Sequence, residues 1–424
     1  MSELRKMYHT LQEDPFPAEL HLTVGDQELI FKKKVWQIAG QEKGLRYGEN
    51  PDQPAAMYYP HQGQLELDGV PFKSKQSGLL SALQSQDILQ SGKHPGKINL
   101  TDVDNGLNIL QYLQAKPAAV ILKHNNPCGA GWSDQGLQQA MQKAYFCDRI
   151  AAFGGAVVLN RELDQASAEF IQDSYFEVVA APEFGPGTLE TLKTRKNLRI
   201  LRIPGLGDLE RQLQYPFLDI KSLTDGGLIV QFSFRNRILA AEDFLPAQAS
   251  SESETVAARQ PTSREAQDLL FAWAVEAGVT SNSVIFARDG ATVGIGTGEQ
   301  DRVGCVELTI FKAYQKYADL LAFQETGLSL YQLRSQAKQD PDQKRILEDI
   351  QARTQQARGG LPGSVLVSDG FFPFRDGADL AIEQGVTAIA QPGGSMNDTE
   401  VIQAVNQADP QVAMVFTGQR SFKH

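Results

Sequence analysis

Short apolar runs recur along the chain with helical patterns between them, and this alternation restricts the fold more than any other feature. The runs are AAVILK (118–123), GGAVVLN (154–160), FEVVAAP (176–182), SVIFAR (283–288), SVLVSDG (364–370), VTAIAQP (386–392) and VAMVFTG (412–418). Helical periodicity falls near 133–146, 164–173, 186–195, 262–277, 306–322 and 376–384. Strands apolar on both faces, alternating with helices, predict a layered α/β protein. The stretch ARDGATVGIG breaks the rule: Asp289-Gly290 between two β-prone runs predicts a tight hairpin, so the sheets are expected to be mixed.

A chain of 424 residues accommodates two domains. The boundary is expected between 235 and 262, where the apolar period is lost to Ser, Ala, Pro and Glu, which divides the chain into 1–240 and 241–424. Ser263 is the expected N-cap of the helix that follows. Residues 323–360 are polar, charged and helix-prone, and read as an exposed helical excursion. Each half also shows a strand, an aromatic-glycine turn, a helix and a strand ending in Ala-x-Pro: AFGG then VVAAP, and SDGFFPFRDG then IAQPGG. Two related α/β domains would account for that repeat.

Composition removes several function classes. The net charge of −11 argues against nucleic acid as a partner, because duplex binders carry a basic face. No apolar stretch reaches the roughly 18 residues of a membrane helix, and MSELRKMYHTLQEDPF has no secretory h-region. Cys128, Cys147 and Cys305 form neither a disulfide framework nor a zinc set, which fits a reducing cytoplasm. Deaminase, GxSxG and HExxH signatures are missing.

Several stretches carry polar residues where a strand gives way to a turn. In ILKHNNPCGAG, Lys123 and His124 end an apolar run, with Pro127 and Gly129 taken as the punctuation of a sharp turn. They read either as solvent-facing residues or as a general base beside a cation, at the carboxyl end of a strand where α/β sheets bind ligands. LRYGENP offers Arg46 as a forked donor for phosphate or carboxylate, or an ordinary surface loop. AFGGAVV places Gly154 where a ligand could approach the backbone. Gly294, Gly296 and Gly298 lack the helix that a dinucleotide fingerprint requires. SDGFFPFRDGAD sets Phe371, Phe372 and Phe374 in a loop, where they either pack or hold a flat ligand. QPGGSMND can offer amides to an anion, or simply cap a helix.

Taken in order, LRYGENPDQPA, KHNNPCGAG, AFGGAVVLNRELD, FEVVAAPEF, SNSVIFARDGATVGIGTGEQDRV, SDGFFPFRDGADLAIEQGVTAIAQPGGS and TGQRSFKH resemble the formyltransferase part of the AICAR transformylase/IMP cyclohydrolase family, from about residue 15 to the C-terminus. The resemblance implies two tandem cytidine-deaminase-like α/β/α domains without zinc. It implies AICAR formyltransferase activity in IMP (purine) biosynthesis: a formyl group passes from 10-formyltetrahydrofolate to the 5-amino group of AICAR ribonucleotide, giving formyl-AICAR ribonucleotide and tetrahydrofolate. A homodimer with shared active sites follows from the same source. By motif, Lys123, His124 and Asn282 match catalytic positions. Arg46, Tyr47, Gly154, Glu177, Phe371 and Arg420 match nucleotide-binding positions, Glu177 as an acceptor for ribose hydroxyls. Arg302, Val303, Asp376, Ser395 and Met396 match the folate site. Ser281, Ser283 and Asp369 match a monovalent-cation site, with potassium the implied ion. Only 45 residues precede Arg46, so a stand-alone transformylase is expected, with no IMP cyclohydrolase domain and ring closure by a separate protein.

Overall fold

All seven apolar runs are strands: Ala118–Lys123, Ala156–Leu159, Val178–Ala181, Val284–Arg288, Val365–Ser368, Ala388–Gln391 and Ala413–Phe416. The computed structural model describes residues 14–73, 79–92, 94–209, 216–250 and 254–424. Residues 251–253 of the Ser-rich stretch expected to hold the domain boundary lie outside the described residues. The expected helices are Leu137–Cys147, Gln165–Asp173, Thr188–Lys193, Ser263–Glu276, Arg302–Thr326 and Asp376–Glu383. One cap is displaced from expectation. Thr262, not Ser263, caps the helix Ser263–Glu276, because its hydroxyl accepts from the backbone of Glu265 while the Glu265 carboxylate reaches back to the backbone of Thr262.

The chain forms two compact units, residues 1–107 with 154–235, and residues 108–153 with 236–424. In the first, Ala156–Leu159, Val178–Ala181 and Arg199–Arg202 are consecutive parallel strands, with Ile88–Gln90 antiparallel beyond them. A separate antiparallel sheet is built from Glu19–Val24, Gln27–Lys33, Tyr58–Leu67 and Val70–Lys73. It has a small core of Leu29, Leu65 and Phe72.

The second unit is a large mixed sheet. Its strands neighbour one another in the order Leu245–Pro246, Ala413–Phe416, Ala388–Gln391, Val365–Ser368, Val284–Arg288, Ala291–Gly296, Asn126–Trp132 and Ala118–Lys123. Ala413, Ala388 and Val365 open strands that run parallel; the remaining neighbours are antiparallel. The hairpin at Asp289-Gly290 forms as expected, with positive φ at both residues. Phe372 of the aromatic loop is fully buried in the core with Val306, Ile389 and Phe416, so it is a packing residue.

The repeat has a structural counterpart. Val178–Ala181 and Ala388–Gln391, the strands that end in Ala-x-Pro, are each the middle strand of a parallel triplet. The 323–360 stretch is helical, as expected, through Leu330–Gln336 and Pro341–Gln356. It is not merely exposed, because Leu330, Leu333 and Ile350 close a core of their own on Ala318 and Ala322.

Candidate active site

The strand Ala118–Lys123 turns at His124 and Asn125, both at positive φ (54° and 61°), and returns as Asn126–Trp132. This corrects the expectation that Pro127 and Gly129 make the turn. Pro127 lies in the returning strand at a register shift, where its missing N–H is tolerated. Gly129 and Gly131 serve the neighbouring helix: a Cβ at either position would drive into the carbonyl oxygens of Ala144 or Ala140. The tip is pinned from several sides. Asn126 Oδ1 accepts from the backbone of Thr280 at 3.0 Å and from the Thr297 hydroxyl at 3.1 Å. Lys423 Nζ donates to the carbonyls of Asn125 and Gly278. Lys123 Nζ donates to the Phe153 carbonyl at 2.8 Å, which leaves further N–H donors of its ammonium for another group. His124 is exposed at the tip. A tight turn in a rigid sheet therefore presents an imidazole and an ammonium side by side.

Beside that tip, Asn282 is held by three residues. Its Nδ2 donates to Gln300 O at 3.0 Å, its backbone N to Glu299 O at 3.1 Å, and its Oδ1 accepts from Arg302 Nη2 at 2.8 Å. Arg302 is 8% exposed and opens the helix Arg302–Thr326, which Asp301 caps. Its Nη1 bonds both the Ser283 carbonyl (3.0 Å) and the fully buried Asp369 carboxylate. Arg302 thus orients Asn282 and neutralises Asp369 at once. Burial pushes the Cys305 thiol up to about 12 and the Cys147 thiol up to about 11, so neither is a thiolate at neutral pH.

Ser281, Ser283 and Asp369 come together. The Ser281 hydroxyl donates to Asp369, whose backbone N donates to the Ser283 carbonyl. The donor set is all oxygen, as a hard cation takes, although Arg302 already lies against the carboxylate. Beneath them is Glu276, fully buried, which the sequence reading missed. Its Oε1 accepts from the Ser283 hydroxyl at 2.9 Å, and its Oε2 has no hydrogen-bond partner among the described residues. Burial, reinforced by the Asp369 charge, raises its pKa well above the ordinary carboxyl value. Among the described residues there is no group of three or more His, Cys, Asp or Glu side chains that could hold a metal ion.

The folate-matched residues lie on a loop and in first helical turns of the same unit. Asp376 is exposed at the start of Asp376–Glu383, and its Oδ1 accepts from Gly377 N. Ser395 and Met396 precede the helix Asp398–Gln407, and Met396 is wholly exposed. Asn397 Nδ2 donates to Pro373 O at 2.6 Å, which ties the two loops together. Val303 follows Arg302 in the first helical turn. Arg420 lies over Phe371, its guanidinium 5.2 Å from the ring centroid, and 5.5 Å from that of Phe422.

The remaining nucleotide-matched residues belong to the first unit. Arg46 is 8% exposed, folds over the Tyr47 ring at 4.4 Å and donates to its hydroxyl at 2.7 Å. Gly154, at φ 78°, donates to Tyr175 O, and Glu177 N donates to Gly155 O, so Gly154 and Glu177 sit at adjacent strand entries. Glu177 faces Arg199, whose side chain is 3% exposed against 42% for the glutamate. Arg199 was not legible as a site residue, since only the strand register opposite Val178 brings it to Glu177.

Residues 11–312 match the family model described as the AICARFT/IMPCHase bienzyme. The chain is 36% identical over 382 residues to the bifunctional purine biosynthesis protein PurH of Magnetococcus marinus, covering 90% of this chain and 59% of that protein. It is 37% identical over 387 residues to PurH of Roseobacter denitrificans, with the same coverage. Against PurH of Caldicellulosiruptor saccharolyticus the identity is 34% over 380 residues, again 90% of this chain and 59% of that protein. The chain therefore spans about three-fifths of the length of the curated relatives it matches.

Proposed function

This chain belongs to the AICARFT/IMPCHase bienzyme family, and from that membership we propose that it is an AICAR formyltransferase of purine biosynthesis. The reaction moves a formyl group from 10-formyltetrahydrofolate to the 5-amino group of AICAR ribonucleotide. That amine is a poor nucleophile, because its lone pair is delocalised into the imidazole and its carboxamide. His124 removes its proton as the new C–N bond forms to the formyl carbon. Lys123 steadies the oxyanion and supports protonation of the folate nitrogen as the old C–N bond breaks. The observation that carries this reading is the rigid hairpin tip with an exposed imidazole next to an ammonium, fixed through Asn126 to the segment bearing Asn282.

Arg46 takes the nucleotide phosphate, with Tyr47, Gly154, Glu177, Phe371 and Arg420 as further contacts and Glu177 on the ribose. Asp376 accepts from the pterin amino and ring N–H groups. Val303, Ser395 and Met396 complete the folate side, and Arg302 orients Asn282 there. The exposed Phe374 and Met396 offer the apolar surface a flat pterin needs. Potassium is the proposed ion at Ser281, Ser283 and Asp369, on the strength of their oxygen donors. The tandem deaminase-like layout, supported by the two parallel triplets, a homodimer with shared sites and a cytoplasmic location complete the proposal. Among the described residues no helix is long and apolar enough to cross a membrane. Substituting His124→Ala tests the chemistry: turnover should fall at least ~100-fold, with AICAR ribonucleotide still bound. Wild-type turnover in that variant would contradict the proposal.

A further inference from the structure

Arg199 opens the strand Arg199–Arg202, and its register opposite Val178 sets it beside Glu177. Its backbone N donates to Glu177 O at 3.0 Å, and its Nη1 lies 3.4 Å from both that carbonyl and Glu177 Oε2. A second donor reaches the same carboxylate oxygen: Asn99 Nδ2, on the helix Lys97–Leu110, at 3.5 Å. The Asn99 amide is itself oriented, because its Oδ1 accepts from Gly96 N. Both donors therefore converge on Oε2. Oε1 has no hydrogen-bond partner among the described residues. The glutamate is 42% exposed, whereas the arginine beneath it is 3% exposed and its Nε has no partner among the described residues.

We propose that Arg199 and Asn99 are positioning residues which clamp one oxygen of Glu177 and leave the other as a ready acceptor for the ribose hydroxyls of the nucleotide. This rests on the nucleotide site proposed above. The acceptor is preorganised, since a carboxylate held at one oxygen loses little rotamer freedom on binding. The pair is also asymmetric. Glu177 without Arg199 is a half-exposed carboxylate held by Asn99 alone; Arg199 without Glu177 is a buried cation with no ion-pair partner among the described residues.

The test is calorimetric titration of the full chain with AICAR ribonucleotide and with its 2′-deoxy and 3′-deoxy analogues. The wild type, Arg199→Met, Asn99→Ala, Glu177→Gln and the double variant Arg199→Met/Glu177→Gln are compared. Arg199→Met should weaken the ribonucleotide about tenfold, the worth of one charge-assisted hydrogen bond. It should weaken at least one deoxy analogue much less, and add nothing to Glu177→Gln. Equal weakening of all three ligands, or full additivity in the double variant, would overturn the proposal while leaving the nucleotide site intact. If Arg199→Met does not fold, Asn99→Ala reports on the same oxygen and should show the same ribose-selective loss; no such selectivity overturns the clamp. A wild type that binds no AICAR ribonucleotide overturns the site itself.

Discussion

Arg302 and Asn282 share a hydrogen bond, with Nη2 of the arginine 2.8 Å from Oδ1 of the asparagine, while the other arm of the guanidinium holds buried Asp369. One side chain thus sets both the orientation of a proposed catalytic amide and the charge balance beneath it. Arg302→Met should cost about 3–5 kcal/mol of stability, because it leaves a buried carboxylate unpaired. Arg302→Lys should recover much of that stability without restoring the two-armed contact, so turnover should stay depressed roughly 10-fold or more. Denaturant unfolding and initial rates, measured on the same preparations, separate the two effects.

Glu276 gives the protein a pH dependence of definite sign. Burial raises its folded pKa well above the ordinary 4.5, so the folded state binds more protons than the unfolded chain at any pH between the two values. Stability from this group is therefore fullest below about 4.5 and declines as pH rises towards the folded pKa. Glu276→Gln keeps the shape without the charge. It should flatten the alkaline side of a plot of melting temperature against pH; an unchanged slope would contradict the assignment.

The returning strand of the catalytic hairpin tolerates no side chain at Gly131, where a Cβ would strike the Ala140 carbonyl. Gly131→Ala should destabilise the protein by about 2–4 kcal/mol, since either the helix or the strand must shift. The shift would also displace the tip that carries His124, so the rate per folded molecule should fall as well.

The helical excursion behaves differently. Leu333 is fully buried in its small core with Ile350 and Ala322. Leu333→Ala should cost about 2–4 kcal/mol and leave the rate per folded molecule near wild type, as read by thermal unfolding alongside the assay.

The central strands were legible because burial on both faces demands continuous apolar residues, as in AAVILK. The N-terminal sheet was not. Its strand Gln27–Lys33 buries only Leu29 and carries lysines and glutamate among its apolar positions, so no run stands out. The hairpin turn was misplaced because His124 and Asn125 adopt positive φ without a glycine to signal it, while Pro127 looked like the corner. Lys123 and His124 could be singled out locally. The Arg302–Asp369 and Arg199–Glu177 pairs join residues 67 and 22 positions apart, and only the folded sheet brings them together.

The most direct measurement follows the transferred carbon. The full chain is incubated with AICAR ribonucleotide and 10-formyltetrahydrofolate labelled with carbon-13 in the formyl group. Formyl transfer should place the label in a formamide on the former 5-amino nitrogen, in step with tetrahydrofolate release, and His124→Ala should abolish it. Tetrahydrofolate or formate appearing with no labelled nucleotide would contradict it.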